Sequence, residues 1–161
     1  MSNVKTQVKK VIFNSIDQNK TGFITQTQLS DYVKQIFQDN HKEKAMKNIL
    51  NQMDIDTPDV QINFDQFFQF MYILENADMD KLSSIYFYLT DTDYSGKISR
   101  KELRDILLKM KTPMEWAETL SESQMNAKAD EDDQMTYSDF VDFFEQLIEN
   151  AEEEEENEND E

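Results

Sequence analysis

The chain has 161 residues, 38% of them apolar, and a formal net charge of −18 at pH 7. A chain of this length can form one ordinary domain or two small lobes with filled cores, and it is too short for a large multidomain enzyme. It contains no Cys, which excludes disulfide bonds, thiolate metal sites and a Cys nucleophile.

The apolar segments are too short for a membrane-spanning protein. The most apolar stretch, residues 67–74, is interrupted by Gln69 and falls far short of the roughly 18 residues that a bilayer-spanning helix needs. No long apolar segment follows the first charges at the N-terminus, so we expect no signal peptide. We therefore expect a cytoplasmic protein without membrane insertion, and association with the cytoskeleton is compatible with this.

The negative charge is concentrated in the second half of the chain. Residues 1–77 carry eight Lys and nine acids, a net charge of −1, whereas residues 78–161 carry eight Lys or Arg and 25 acids, a net charge of −17. Such a field repels nucleic acid and attracts basic proteins and divalent cations. Eight of the acids lie in the last ten residues, so we expect a disordered acidic tail at 151–161. This tail either improves solubility or steers basic partners.

A short signature occurs four times at a spacing of 36 to 38 residues, which identifies an internal repeat. In each copy an apolar residue is followed by a small polar residue, two variable residues, an acid or amide, and a large apolar residue. The four copies occupy residues 24–29, 62–67, 98–103 and 135–140. We expect the first apolar residues of neighbouring copies to face each other, Ile24 opposite Ile62 and Ile98 opposite Met135.

Helical patterns lie on both sides of each signature. Apolar residues recur there at three- and four-residue steps, and the small polar residue lies three places before the acid or amide, as in a capping box. These pairs are Thr25 with Gln28, Asn63 with Gln66, Ser99 with Glu102, and Thr136 with Asp139. The sequence therefore predicts an all-α fold of four helix-loop-helix units, paired into two lobes at residues 1–76 and 77–150.

The third loop, residues 91–102, carries the oxygen donors that Ca²⁺ requires. A 12-residue loop offers them from positions 1, 3, 5, 7, 9 and 12, with Gly at position 6 for the turn. Here Gly96 makes the turn. The predicted metal ligands are the side chains of Asp91, Asp93 and Ser95, the carbonyl of Lys97 and both carboxylate oxygens of Glu102, with a water-mediated contact at Ser99. Ser95 carries no charge, so we expect affinity on the order of micromolar or weaker.

The other three loops lack essential ligands. The first loop, residues 17–28, ends with Gln28, which cannot give two anionic oxygens, so weak or no binding is expected. Counted back from its signature, the second loop (residues 55–66) begins at Ile55, and starting at Asp54 instead needs an inserted residue. The fourth loop begins by the same count at Lys128, and if Asp130 begins it the loop is two residues short. We expect the second and fourth loops to be structural.

Over roughly residues 4–150 the chain resembles the EF-hand proteins calmodulin, troponin C and the centrins. The match is specific in the third loop, and the other loops match mainly in their apolar frame. The resemblance implies two lobes of paired EF-hands, Ca²⁺ as ligand, no catalysis, and recognition of helical segments in target proteins. The departures at Gln28, Gln66 and Lys128 favour a divergent, light-chain-like member over calmodulin itself.

Two kinds of function are consistent with these features. In the first, one competent Ca²⁺ site makes the protein a regulatory or light-chain-like subunit that binds a basic amphipathic helix of a partner. In the second, the protein is a constitutive structural subunit of a cytoskeletal or motor assembly without Ca²⁺ switching. Candidate groove residues, which suit a core equally well, are Met71, Met110, Met114 and Met125. An enzyme is disfavoured, since the only His, His41, lies in a polar run.

Overall fold

The computed structural model describes residues 4–37 and 42–159; His41 lies outside them. The chain divides into an N-terminal unit, residues 1–80, and a C-terminal unit, residues 81–161. The described residues form eight α-helices and four two-residue strands, so the predicted all-α class is confirmed. The division falls a few residues beyond the predicted one after residue 76, since residues 77–81 form a non-helical connection.

Each unit contains two helix-loop-helix hands. The N-terminal unit consists of α1 (Val4–Ile16), β1 (Ile24–Thr25), α2 (Gln26–Ile36), α3 (Lys42–Gln52), β2 (Gln61–Ile62) and α4 (Phe64–Asn76). The C-terminal unit consists of α5 (Leu82–Thr90), β3 (Ile98–Ser99), α6 (Arg100–Lys109), α7 (Met114–Lys128), β4 (Gln134–Met135) and α8 (Tyr137–Asn159). Each loop therefore lies between an entering helix and a short strand that leads into an exit helix.

Antiparallel strands join the two hands of each unit. β1 pairs with β2, with Ile24 opposite Ile62, and β3 pairs with β4, with Ile98 opposite Met135. All four side chains are buried. Successive residues of a strand point to opposite faces, and in each strand this residue points to the core. The predicted pairing is confirmed in both units.

The exit helices begin at the predicted caps. In α2, α4 and α6 both halves of the capping box are present, with Thr25, Asn63 and Ser99 as N-cap residues. At α8 the Thr136 hydroxyl accepts the Asp139 backbone N–H at 3.4 Å and donates to the Asp139 carboxylate at 3.1 Å, a variant of the same device. An N-cap of this kind is worth about 1 kcal/mol, so the caps define where each loop ends.

Aromatic side chains fill both cores. In the N-terminal unit the rings of Phe13 and Phe67 lie 5.5 Å apart, which joins α1 to α4. In the C-terminal unit Phe140 lies 5.6 Å from Phe87 and 5.7 Å from Phe144, which joins α5 to α8. Because burial of such a side chain contributes about 1.5 to 3 kcal/mol, these contacts hold the helices that flank each loop at fixed positions.

The acidic end of the chain differs from its prediction. The sequence predicts disorder over residues 151–161, whereas α8 continues to Asn159. Glu is a good helix former, and the helix is already nucleated by Phe140 and Phe144 in the core, so each further residue only propagates it. Amino-acid composition alone favours disorder here because it does not reflect the helix that precedes these residues.

Candidate metal centre

The third loop brings three carboxylates together. Asp91, Asp93 and Glu102 each place one carboxylate oxygen so that all three lie within 4.8 Å of one another. Asp91 is 0% exposed and Glu102 is 7% exposed, whereas Asp93 lies at the surface. Like charges at this distance repel each other, so a cluster of this kind favours a bound cation.

Backbone amides of the loop orient Asp91. Its Oδ1 accepts the Ser95 N–H at 3.0 Å, and its Oδ2 accepts the Gly96 N–H at 2.8 Å. Gly96 has φ of +81°, and no atom lies within 4 Å of the place that a Cβ would take. The glycine is therefore required by the backbone conformation and not by lack of space.

Glu102 accepts hydrogen bonds from both the start of α6 and the loop. Its Oε2 accepts the Ser99 N–H at 2.9 Å, which completes the capping box of α6. Its Oε1 points back across the loop and accepts the Thr92 hydroxyl at 3.2 Å and the Asp93 N–H at 3.3 Å. Both oxygens are thus held at the exit of the loop, at the position where Ca²⁺ takes a bidentate carboxylate.

The two remaining predicted ligands lie beside this cluster. The Ser95 hydroxyl is 2.9 Å from the Lys97 carbonyl oxygen and 3.3 Å from Asp91 Oδ1. Hydrogen bonding by Ser95 is the main reason why the pKa of Asp93 lies below its ordinary value, so this carboxylate is charged at neutral pH. The donors are all oxygens, which suits a hard cation such as Ca²⁺ and does not suit Zn²⁺ or copper.

The first loop begins in the same way as the third loop and ends differently. Asp17 accepts the Thr21 N–H at 3.1 Å and the Gly22 N–H at 2.8 Å, as Asp91 does in the third loop. Burial alone would raise the pKa of Asp17, but hydrogen bonds from Gly22 and Thr21 hold it below its ordinary value. At the exit, Gln28 accepts the Thr25 N–H through Oε1 and donates from Nε2 to the Ile16 carbonyl at 3.4 Å. An amide N–H thus faces the loop where Glu102 presents an anionic oxygen.

The second loop replaces the first ligand with an apolar side chain. Ile55 is 1% exposed, buried in the same way as the aspartates that begin the first and third loops. The preceding Asp54 adopts φ of +58°, and the Ile55 N–H bonds to the Leu50 carbonyl at 2.9 Å, which ends α3. Apolar burial therefore holds this loop without a charged group.

The fourth loop begins at Asp130. Its Oδ1 accepts the N–H groups of Asp132 at 3.0 Å and Gln134 at 3.1 Å, the role that Asp91 has in the third loop. Lys128 is the last residue of α7 and lies before the loop. Of the two alignments open from the sequence, the structure follows the one in which the loop is two residues short.

Cationic side chains of the third hand bind acids of the fourth loop. Lys97 Nζ lies 2.5 Å from Asp130 Oδ2, and Arg100 Nε lies 2.8 Å from both carboxylate oxygens of Asp133. These hydrogen bonds are the main cause of the raised pKa of Lys97 and Arg100 and of the lowered pKa of Asp130 and Asp133. These pairs were not predicted from the sequence, although opposite charges on two loops that join through Ile98 and Met135 were a usable signal.

Paired helix-loop-helix hands that meet through a short antiparallel bridge define the EF-hand fold. No family model matches the chain. The chain is similar to a myosin regulatory light chain from Caenorhabditis elegans, with 35% identity over 103 residues. The matched region is 63% of this chain and 57% of that protein, so the chain spans a little over half of the length of this curated relative.

Within the described ranges, no helix combines the length and apolar character needed to cross a membrane.

Proposed function

We propose that the protein is a light-chain-like EF-hand subunit that binds one Ca²⁺ in its third loop and a helical segment of a partner protein. The observation that carries the Ca²⁺ site is the cluster of Asp91, Asp93 and Glu102, whose carboxylate oxygens lie within 4.8 Å of one another. Ser95 and the Lys97 carbonyl would complete the set. With three acids in place of four or five, affinity on the order of micromolar or weaker is expected.

Exposed apolar side chains in the C-terminal unit support the binding of a helical partner. Met110, Met114 and Trp116 are 37%, 64% and 69% exposed and lie near the start of α7 and the turn before it. Met71 and Met125, the other two candidates from the sequence, are buried in the cores. Soft Met side chains and exposed aromatic rings are residue types that suit an amphipathic helix.

The charge of the C-terminal half supports a basic partner. Residues 78–161 carry a net charge of −17, from eight cations and 25 acids. A partner helix with Lys and Arg beside its apolar face would be attracted to this field. The similarity to a myosin regulatory light chain supports a non-enzymatic subunit of a cytoskeletal assembly in the cytoplasm.

The alternative is a constitutive structural subunit without Ca²⁺ switching. This alternative is favoured by loops in which groups of the chain stand at positions where a metal ligand would be needed. Examples are the Gln28 amide in the first loop and buried Ile55 in the second. In that case the third loop would also act as a static connection. The two functions differ in whether Ca²⁺ binds at physiological concentration.

The deciding experiment is a calorimetric titration of Ca²⁺ into chelator-treated protein at physiological salt and about 1 mM Mg²⁺. We expect one site near micromolar affinity in the unmodified chain and no site in Glu102→Gln. The substitution preserves the cap, since Gln28 and Gln66 form complete capping boxes in α2 and α4. Glu118→Gln on α7 is the matched control and should bind as the unmodified chain does. Absence of binding at about 100 μM Ca²⁺ would refute the switch and favour the structural subunit.

A further inference from the structure

The cationic side chains of the third hand make an unusual set of contacts with the fourth. Arg100 is the first residue of α6, and its Nε bonds to both carboxylate oxygens of Asp133 at 2.8 Å. Its two other nitrogens bond to Glu122 at 3.0 Å and Asn126 at 2.9 Å, which both lie on α7. One guanidinium therefore connects the fourth loop, the helix that leads into it and the neighbouring hand.

Lys97 holds the beginning of the same loop. Its Nζ bonds to Asp130 Oδ2, while Asp130 Oδ1 accepts the backbone N–H groups of Asp132 and Gln134. Both oxygens of the first carboxylate of this loop are thus used, one by the backbone and one by a cation. In a metal-binding hand the second interaction would be made with the ion.

Four consecutive acids bring like charges close together in this loop. Residues 130–133 are Asp, Glu, Asp and Asp, and the loop is two residues shorter than the 12 that Ca²⁺ coordination uses. Asp133 also has φ of +58°, so its backbone lies in the left-handed region that costs a residue with a Cβ free energy. Like charges at this density oppose folding of the loop unless cations lie beside them.

We propose that Lys97 and Arg100 take the place of a metal ion in the fourth loop and hold this hand in its paired position without Ca²⁺. The inference deepens the proposed function, because it explains why the C-terminal unit would bind one ion and not two. The contact itself stands independently of whether the third loop binds Ca²⁺.

The number of contacts distinguishes these pairs from an isolated surface ion pair. An isolated exposed pair contributes little, but networks of several charges are exceptions, and Arg100 contacts Asp133, Glu122 and Asn126 together. The Lys97 and Asp130 side chains are 40% and 25% exposed, and the Arg100 and Asp133 side chains are 31% and 58% exposed, so water reaches both pairs and the first pair less than the second. Lys101 offers the contrast: it is 76% exposed and pairs with Asp105 of its own helix.

The test uses the full chain in the Glu102→Gln background, in chelator, so that the third loop contributes no ion. Arg100→Gln should lower the unfolding temperature of the C-terminal unit, followed by the fluorescence of Trp116, by about 5 °C. Lys101→Gln removes the same charge from the same helix and should have little effect. Equal effects of Arg100→Gln and Lys101→Gln would overturn the proposal.

A double-mutant cycle identifies the pair itself. Asp133→Asn removes the negative charge from the other side of the same contact and keeps a residue that tolerates positive φ, so it also serves if Arg100→Gln does not fold. If the proposal is right, the combined variant is little less stable than Arg100→Gln alone, which already removes the contact with Asp133. Fully additive losses would show that the two residues act independently and would overturn it.

A cation should replace the missing side chains. In the same background, Lys97→Gln combined with Arg100→Gln should regain thermal stability on addition of about 10 mM Mg²⁺ or Ca²⁺, and equal ionic strength of KCl should restore less. A response no larger than that of Lys101→Gln would contradict the proposal. Failure of the Ca²⁺ site would be seen separately, as absence of binding by the chain with Glu102 intact.

Discussion

The first loop offers a test of what separates a binding loop from a structural one. Asp17 receives the same two backbone N–H groups as Asp91, at distances of 2.8 and 3.1 Å, so the entrance is already in place. The exit lacks only an anionic oxygen, since Gln28 caps α2 as Glu102 caps α6. We therefore expect Gln28→Glu to create a second Ca²⁺ site.

The cost of this substitution follows from the contacts of Gln28. Its Oε1 bond to Thr25 remains available to a carboxylate, and the bond lost is the one from Nε2 to Ile16, at 3.4 Å. A hydrogen bond contributes about 0.5 to 1.5 kcal/mol, and this long one belongs at the lower end. Without metal, the N-terminal unit should thus lose about 0.5 kcal/mol, a fall in unfolding temperature of about 2 to 4 °C.

Ca²⁺ should reverse this loss. A ligand at 100 times its dissociation constant stabilises the folded state by about 2.7 kcal/mol, which exceeds the cost of the substitution. The assay is the calorimetric stoichiometry, which should rise from one to two, together with thermal unfolding in chelator and in about 5 mM Ca²⁺.

The control lies in the second loop. Gln66 caps α4 in the same way as Gln28 caps α2, but the loop begins with buried Ile55 in place of an aspartate. Gln66→Glu should therefore bind no Ca²⁺. The reasoning would be refuted if Gln28→Glu gained no site, or if Gln66→Glu gained one as well.

Three further results are expected. Ile55→Ala should destabilise the N-terminal unit by about 2 to 5 kcal/mol in urea unfolding, because a fully buried side chain leaves a cavity; a loss below about 1 kcal/mol would show that the loop does not depend on this side chain. Gly96→Ala should lower the free energy of unfolding by about 1 kcal/mol because of the positive φ alone, as measured by thermal unfolding in chelator. Gly96→Asn should lower it less, since Asn tolerates positive φ. A larger loss for Asn than for Ala would contradict a backbone cause. The pKa of Asp17 is lower in the folded protein than its ordinary value of 3.8, so the charged carboxylate stabilises the fold above pH 3.8. This contribution disappears as the pH falls through the lower folded pKa. The stability of Asp17→Asn in acid unfolding should therefore depend less steeply on pH, and curves identical to those of the unmodified chain would refute this role.

The local features of the fold were predictable from the sequence. Ile24, Ile62, Ile98 and Met135 recur at a fixed distance before a cap, and both the strand register and the capping boxes depend on residues within a few positions. The clustering of the third-loop carboxylates was predictable for the same reason, because residues 91–102 are close in sequence and the loop brings them together.

Contacts between distant residues were not predictable in this way. Lys97 and Asp130 are 33 residues apart, and only the packed pair of hands shows which acid each cation meets. The exposure of Met110 and Met114, against the burial of Met71 and Met125, likewise depends on the neighbouring helices, since all four have the same side chain. The acidic end of α8 was missed because composition was considered without the helix that precedes it.

That acidic end has a consequence for how the molecule responds to its surroundings. Glu residues occupy positions 152–156 at the C-terminal end of α8, where the partial negative charge of the helix end opposes them and like charges four residues apart repel each other. These charges therefore work against the helix-forming tendency of Glu in the last turns. Salt, mild acid or an approaching polycation would stabilise these turns, and dilution into low ionic strength would destabilise them.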